Sequence, residues 1–240
     1  MGCNRSGKTT LANLLGQHPE VTVIPNANSH TRAVPSSERE GCPHVWTEKL
    51  ERFRLTESDS RRPAARLAFD WLRYDPSPRP VMVVESDIPA VQMRWLQEVF
   101  PHACFIGMVR NGYAVAEGLR LKEGYAIERC ARQWSLANYV MLADTKFVPA
   151  FRLVRYEDFV HWPRETALEL ADFVGLDAAP LVQATEQGWR LGNTDSAPSR
   201  LYDANGELIE RLAPAEVDAV TTAAFDMLER LDYLDPGAGA

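Results

Sequence analysis

The sequence predicts an α/β fold with a central parallel sheet between two layers of helices. Four short apolar runs are continuous rather than alternating, which is typical of parallel strands buried on both faces. Longer amphipathic segments lie between these runs, and strand and helix therefore alternate. The 240 residues contain no internal repeat, so we expect one domain over residues 1–240. The predicted strands are Val21–Ile24, Val81–Val84, Cys104–Val109 and Phe151–Val154.

Seven segments carry apolar residues at helical spacing, and several of them open with proline, which favours the first turn of a helix. Two polar stretches lack a sustained period, and we interpret Asn26–Arg62 and Gly188–Gly206 as long loops. The predicted helices are Thr9–Leu15, Pro63–Leu72, Pro89–Phe100, Tyr113–Leu121, Ile127–Ala143, Arg164–Phe173 and Pro214–Leu231.

The charge balance excludes some classes of partner. There are 26 Lys and Arg against 33 Asp and Glu, a net charge of −7, which argues against a nucleic-acid or anionic-membrane binder. No apolar stretch approaches the roughly 18–20 residues of a spanning helix, and the first residues do not resemble a signal peptide, so we expect a cytoplasmic protein. The cysteines show no C-x-x-C spacing, and neither a zinc site nor a disulfide framework is indicated.

The first nine residues contain a phosphate-binding motif. Gly2–Thr9 reads G-C-N-R-S-G-K-T and satisfies G-x-x-x-x-G-K-[ST], in which backbone N–H groups wrap a phosphate and a helix start adds its dipole. A helix pattern follows, but only Met1 precedes the motif. The first strand before the loop is apparently missing, so either the recorded start lies downstream of the true one or the protein lacks that central strand.

Three segments in order resemble signatures of the 3′-phosphoadenylyl sulfate (PAPS)-dependent sulfotransferases. The run R-S-G-K-T-T-L from Arg5 is similar to the family's R-S-G-T-T-L opening. F-P-H-A-C-F-I from Phe100, followed by V-R-N-G from Val109, resembles the second signature. Y-E-D from Tyr156, with F-V-G-L from Phe173, resembles the third. A weaker similarity to the family's closing segment includes Asn193-Thr194 and the R-L-A-P-A-E run from Arg211.

The resemblance implies a three-layer P-loop NTPase-like fold and a function. The chain would transfer a sulfuryl group from PAPS, without a metal, to a hydroxyl of a small-molecule or carbohydrate acceptor. Arg5 and Lys8 would neutralise charge on the leaving oxygen, Arg110 would bind the 3′-phosphate, and Tyr156 would contact adenine. The 5′-phosphate would be surrounded by the other loop residues Asn4, Ser6, Gly7, Thr9 and Thr10.

A general base must take the acceptor's proton. Glu85 follows the apolar run that ends at Val84, which places it at the carboxyl end of a parallel strand, where open α/β sheets bind ligands. The family often has a glutamate base here, and the alternative is a structural salt bridge or helix cap. His102 competes less well, because its turn precedes a strand on the far side, and nothing in the spacing selects His44 from its loop.

Three positions depart from the family pattern. Lys8 stands where the family usually has threonine, Gly112 replaces a proline, and Gly118 replaces a serine that also binds the 3′-phosphate. Glu117 lies about two helical turns from Arg110 and could pair with it instead of leaving it for an anion.

Two alternatives stay open. A P-loop kinase or other nucleotide-binding protein could use Lys8 with ATP and Mg²⁺, and Glu85 and Asp87 could end a Walker B strand, but this leaves Arg110 and the Y-E-D segment unexplained. The other alternative is a catalytically silent binding protein that keeps the fold. The acceptor's identity depends on the long loops, whose composition does not encode a ligand's shape, and the oligomeric state is not encoded either.

Overall fold

A computed structural model describes residues 1–24, 46–75, 79–192 and 197–237. The four predicted strands are confirmed, with ends within one residue of those predicted. β1 (Val21–Ile24) pairs in parallel with β2 (Val81–Val84), and Val21 lies opposite Val81. β3 (Phe105–Val109) pairs in parallel with β4 (Phe151–Arg155), and Phe105 lies opposite Phe151.

The described strands form two parallel pairs, and the start of the chain lies along one of them. Gly2 forms a parallel bridge with Met108 of β3. The N–H of Met108 donates to the carbonyl of Met1 at 2.9 Å, whereas the N–H of Phe105 donates to Ala150, just before β4. The N–H groups of Met108 and Phe105 therefore point to opposite edges of β3. The segment that enters the phosphate loop occupies the edge away from β4.

The helices agree with six of the seven predicted segments, with each end within two residues of the predicted one. The predicted helix Pro89–Phe100 is wrong as one element, because Gln92 has non-helical dihedrals (φ −123°, ψ 9°) and separates a 3₁₀ turn, Ile88–Val91, from a helix. Other 3₁₀ turns are Trp46–Lys49 and Thr145–Phe147. The α-helices are α1 Lys8–Leu15, α2 Leu50–Phe53, α3 Arg62–Tyr74, α4 Met93–Val99, α5 Gly112–Glu123, α6 Ile127–Asp144, α7 Tyr156–His161, α8 Pro163–Val174, α9 Ala179–Gln187, α10 Asn205–Ile209 and α11 Pro214–Arg230.

Two hydrophobic clusters cover opposite faces of the β3–β4 pair. Val109 belongs to the cluster of Trp134 on α6, which also includes residues of α5 and α11. Its neighbour Met108 belongs to the cluster of Leu14 on α1, which also includes residues of α8 and α9. Because successive strand side chains point to opposite faces, the sheet is buried on both sides. This is the three-layer arrangement that the sequence predicts.

The two predicted loops contain more structure than expected. Residues 25–45 lie outside the described part, but the rest of the predicted Asn26–Arg62 loop includes a 3₁₀ turn and α2. In the second loop Trp189 and Ser199 form an antiparallel bridge. Trp189 is buried, and its indole N–H donates to the carbonyl of Thr10 at 2.9 Å, which ties this segment to α1.

Candidate functional site

The phosphate loop has the backbone shape that an anion cradle needs. Gly7 precedes α1 with φ +96°, a left-handed conformation that favours glycine. A Cβ at Gly7 would lie 2.7 Å from Cδ2 of Tyr156, so the ring packs directly against the loop. Gly7, at the N-cap position of α1, has no side chain with which to cap the helix, and the first turn contains no acidic residue. The positive end of the helix dipole is therefore open to a bound anion.

The predicted loop residues differ in what they contact. Ser6 is buried, and its hydroxyl has no hydrogen-bond partner within the described residues. The Thr10 hydroxyl accepts from the N–H of Gly192 at 3.1 Å, so this residue also holds the 189–192 segment. Asn4 is buried and Thr9 is half-buried. Ser6 is therefore the loop side chain whose hydrogen-bonding capacity is most clearly unused.

Lys8 and Glu85 form one buried cluster together with Asp87. The Lys8 ammonium lies 3.5 Å from Oε1 of Glu85 and also contacts the carboxylate of Asp87. Burial opposes the charge on Lys8, but the two carboxylates outweigh it and raise the Lys8 pKa. The N–H of Glu85 donates to Ile24 of β1, which fixes its backbone beside the strand ends. The sequence predicted the position of Glu85, and the ion pair is a structural salt bridge of the kind named there as the alternative to a base, although Lys8 was not predicted as its partner.

Arg110 is a buried arginine that several parts of the fold hold in place. It is 8% exposed, and its guanidinium stacks over the Tyr156 ring at 4.0 Å from the ring centre. Its Nε donates to Oδ1 of Asn205 at 2.7 Å and its Nη1 donates to the carbonyl of Arg5 at 3.2 Å. Nη2 has no hydrogen-bond partner in residues 1–24, 46–75, 79–192 and 197–237. Burial lowers the Arg110 pKa. A buried guanidinium is costly unless it is paired, so a bound anion would stabilise its charge.

Glu117 does not pair with Arg110, although the helical spacing made that pair possible. Glu117 instead receives two hydrogen bonds from Arg120, at 2.6 and 2.9 Å, on the same helix. Arg120 reaches Glu216 of α11 as well, at 3.1 Å. A partner three residues away satisfies Glu117, and its carboxylate is therefore not in an ion pair with Arg110.

The two other cationic residues of the prediction lie in different surroundings. Lys8 contacts Glu85 and Asp87, whereas the Arg5 side chain lies over Gly118 of α5. A Cβ built on Gly118 would meet Nε of Arg5 at 3.4 Å, an ordinary contact distance. The position where the family has its serine is thus covered here by an arginine that belongs to the phosphate loop.

The glycine that replaces the family's proline has a packing reason. A Cβ at Gly112 would lie 2.8 Å from Leu228 and 3.1 Å from the Trp134 ring. A larger residue at the start of α5 would therefore require Leu228 of α11 and the Trp134 ring of α6 to shift. Asn111 caps α5 by accepting from the N–H groups of Tyr113 and Ala114.

The remaining predicted residues are the adenine contact Tyr156 and the two histidines considered as bases. Tyr156 is 5% exposed and its hydroxyl donates to the carbonyl of Tyr202, so its contacts here are to protein, and the adenine contact stays a prediction. His102 is exposed in its turn, as expected, and His44 lies outside the described residues.

The sequence did not predict Asn205, which lies in a segment interpreted as loop. In the described ranges no group of three or more His, Cys, Asp or Glu side chains is arranged to hold a metal, and no helix is long and apolar enough to cross a membrane.

Comparisons of both sequence and structure relate this chain to sulfotransferases. A protein-tyrosine sulfotransferase of Drosophila melanogaster is 23% identical over 186 residues, 72% of this chain and 36% of that protein, so the match spans about a third of the relative's length. The sulfotransferase domain from the curacin biosynthetic pathway superposes with a TM-score of 0.60 at 18% identity, covering 97% of this chain and 95% of that one. The sulfotransferase domain from the Synechococcus PCC 7002 olefin synthase gives 0.59 at 20% identity, covering 97% and 92%. These structures show the fold. The model of the sulfotransferase family matches residues 1–180, and because this is most of the chain, the protein belongs to the sulfotransferase family.

Proposed function

We propose that the protein transfers the sulfuryl group of PAPS to a hydroxyl of a small-molecule or carbohydrate acceptor. The observation that carries the proposal is Arg110, a buried guanidinium beside the phosphate loop whose Nη2 has no hydrogen-bond partner among the described residues. A loop that binds one phosphate is common to many nucleotide-binding proteins. A second, buried anion site next to it fits a donor that carries both a 5′-phosphosulfate and a 3′-phosphate.

The residues present fit this donor. The N–H groups at the start of α1, the Ser6 hydroxyl and the Lys8 ammonium would hold the 5′-phosphosulfate. Arg110 would bind the 3′-phosphate through Nη2, and Arg5 would add positive charge from the side of Gly118. The donor supplies the sulfuryl group and the phosphate leaving group, and it needs no metal for either.

In the proposed reaction Glu85 is the base and Lys8 stabilises charge. The acceptor hydroxyl gives its proton to Glu85 as its oxygen bonds to sulfur, while the bond from sulfur to the 5′-phosphate oxygen breaks. Adenosine 3′,5′-bisphosphate leaves with the electron pair of that bond. The Lys8 ammonium, 3.5 Å from Glu85, would shift its interaction towards the charge that grows on the departing oxygen.

The use of ATP with Mg²⁺ is the less favoured alternative. The family match and the sulfotransferase folds support sulfuryl transfer, and a kinase gives Arg110 no role. The curated relative is by its name a tyrosine sulfotransferase. A tyrosine-containing peptide therefore belongs among the acceptors to be tested, beside phenols and sugars.

The experiment is transfer of ³⁵S from labelled PAPS to a panel of phenols, sugars and a tyrosine peptide. We expect wild-type protein to label at least one acceptor, and Glu85→Gln to lower that turnover by about 100-fold, as loss of a general base does. Glu98→Gln is the matched control, because Glu98 is an exposed carboxylate paired with Arg61 and should leave turnover unchanged. Equal turnover by Glu85→Gln and wild type would refute the assigned base. Phosphoryl transfer from ATP–Mg²⁺ without sulfuryl transfer would establish the alternative.

A further inference from the structure

A buried hydrogen-bond chain lies behind Arg110 and connects it to Glu157. The side-chain oxygen of Asn205 accepts from Nε of Arg110 at 2.7 Å, and its Nδ2 donates to Oε1 of Glu157 at 2.8 Å. Asn205 is 0% exposed and Glu157 is 4% exposed. Both ends of the Asn205 amide are therefore used, and each requires the same orientation of the amide group.

The neutral amide separates the arginine from the carboxylate. None of the ion pairs in the described part of the chain includes Arg110. A carboxylate in direct contact would bind two guanidinium nitrogens at once and satisfy their charge. With Asn205 between them, Glu157 still contributes negative charge that stabilises the buried cation, but the outer part of the guanidinium is not neutralised.

Glu157 is itself fixed by two further donors. The backbone N–H of Asn111 donates to Oε1 at 2.8 Å, and the hydroxyl of Tyr233 donates to Oε2 at 2.6 Å. Tyr233 is fully buried. Four elements thus meet at this carboxylate: the start of α5, the start of α7, α10 and the segment after α11. Since both ends of the Asn205 amide and both oxygens of Glu157 are hydrogen-bonded, these two residues form a rigid support for Arg110.

We propose that Asn205 and Glu157 are positioning residues that hold the Arg110 guanidinium in the orientation that binds the donor's 3′-phosphate. The inference rests on the proposed function. Asn205 fixes Nε, the carbonyl of Arg5 fixes Nη1, and the ring of Tyr156 fixes the plane, which leaves Nη2 as the direction in which Arg110 can bind a ligand. Preorganisation of this kind raises affinity because the side chain loses less conformational freedom on binding.

The test compares two ligands that differ only in the 3′-phosphate. Binding of adenosine 3′,5′-bisphosphate and of adenosine 5′-monophosphate is measured by calorimetry on wild type and on Asn205→Ala. We expect Asn205→Ala to weaken the bisphosphate by about tenfold or more, the size of one charged hydrogen bond, and to change the monophosphate by less than about twofold. In turnover, the KM for PAPS should rise while kcat at saturating PAPS stays within about twofold.

Two further variants separate positioning from simple loss of stability. Asn138→Ala removes another buried asparagine, whose amide donates to the α6 carbonyl of Trp134, and it should keep the wild-type preference for the bisphosphate. Glu157→Gln keeps an oxygen for Asn205 and should retain most of the preference, whereas Glu157→Ala should lose it. A loss in Glu157→Gln equal to that in Glu157→Ala would contradict the hydrogen-bond route.

The outcomes distinguish the inference from the function on which it rests. Wild-type protein that binds both nucleotides equally would overturn the proposed donor site. Wild-type protein that prefers the bisphosphate, together with an Asn205→Ala variant that prefers it as strongly, would overturn only the positioning role.

Discussion

Replacement of Lys8 by methionine tests whether the buried cluster with Glu85 and Asp87 is as tightly coupled as its geometry indicates. The side chains of Lys8 and Glu85 are 11% and 3% exposed, and methionine keeps most of the length of Lys8 without its charge. The variant removes the Lys8 charge from its contacts with two carboxylates, and breaking a buried ion pair from one side costs about 3–5 kcal/mol. Asp87 is 17% exposed, so the lower end, about 3 kcal/mol, is expected.

The assay is urea unfolding of four proteins: wild type, Lys8→Met, Asp87→Asn and the double variant. We expect the cycle to give a coupling free energy of at least about 1.5 kcal/mol, with a fall in Tm of about 6–12 °C for Lys8→Met in a protein of this size. The two carboxylates raise the Lys8 pKa above its ordinary 10.5. The stabilisation of the folded protein by the Lys8 ion pairs is therefore fully present below pH 10.5 and is lost only as the pH rises above that value.

Lys122→Met is the matched control, because Lys122 is 53% exposed and lies 3.6 Å from Glu123. It should change the free energy of unfolding by less than about 1 kcal/mol. If Lys8→Met is as stable as Lys122→Met and the coupling is below about 0.5 kcal/mol, the buried cluster does not exist in solution as described.

Three other predictions test separate features. Gly7→Ala should abolish measurable nucleotide binding in calorimetry, because its Cβ would overlap the Tyr156 ring at 2.7 Å and its φ of +96° disfavours any side chain. Retained binding would refute the role of this loop in binding the phosphate. Burial raises the Tyr233 pKa above its ordinary 10.0, so stability should fall as the pH rises above 10, and Tyr233→Phe should show a smaller fall; equal falls would contradict this. Iodoacetamide at pH 8 should label the exposed Cys104 well before Cys130, whose pKa burial raises to about 11, as peptide mass spectrometry would show; equal rates would contradict it.

The sheet and the phosphate loop could be predicted from the sequence because both depend on local patterns. The run Val81–Val84 is uninterrupted and rich in valine, which favours a strand, although its four residues are half-buried rather than buried in the structure. The loop is a fixed spacing of glycine, lysine and threonine before a helix. Neither interpretation needed information about distant residues.

Elements whose limits depend on tertiary packing were not predicted. α7 begins at Tyr156, immediately after β4, whereas the sequence identifies this segment only by its resemblance to the third family signature. The break at Gln92 interrupts an apolar pattern that continues through it. In both places the hydrophobic spacing is compatible with more than one local structure, and contacts across the fold decide.

The candidate site shows the same division. Arg110 was predicted from its motif, but its partner Asn205 is 95 residues away, in a stretch with loop composition. Helical spacing suggested Glu117 instead, because spacing cannot show that Arg120 satisfies that carboxylate first. The only local signal at Asn205 is the turn in which its N–H donates to Asp203, and this signal concerns the backbone rather than the site.

The most direct measurement of the central claim is thermal melting of the wild-type protein with adenosine 3′,5′-bisphosphate in one sample and ATP–Mg²⁺ in another. At 100 times its dissociation constant a ligand stabilises the native state by about 2.7 kcal/mol, which corresponds to about 5–11 °C here. The account predicts this rise with the bisphosphate and a much smaller one with ATP–Mg²⁺. A rise with ATP–Mg²⁺ alone, or no rise with either, would contradict the account.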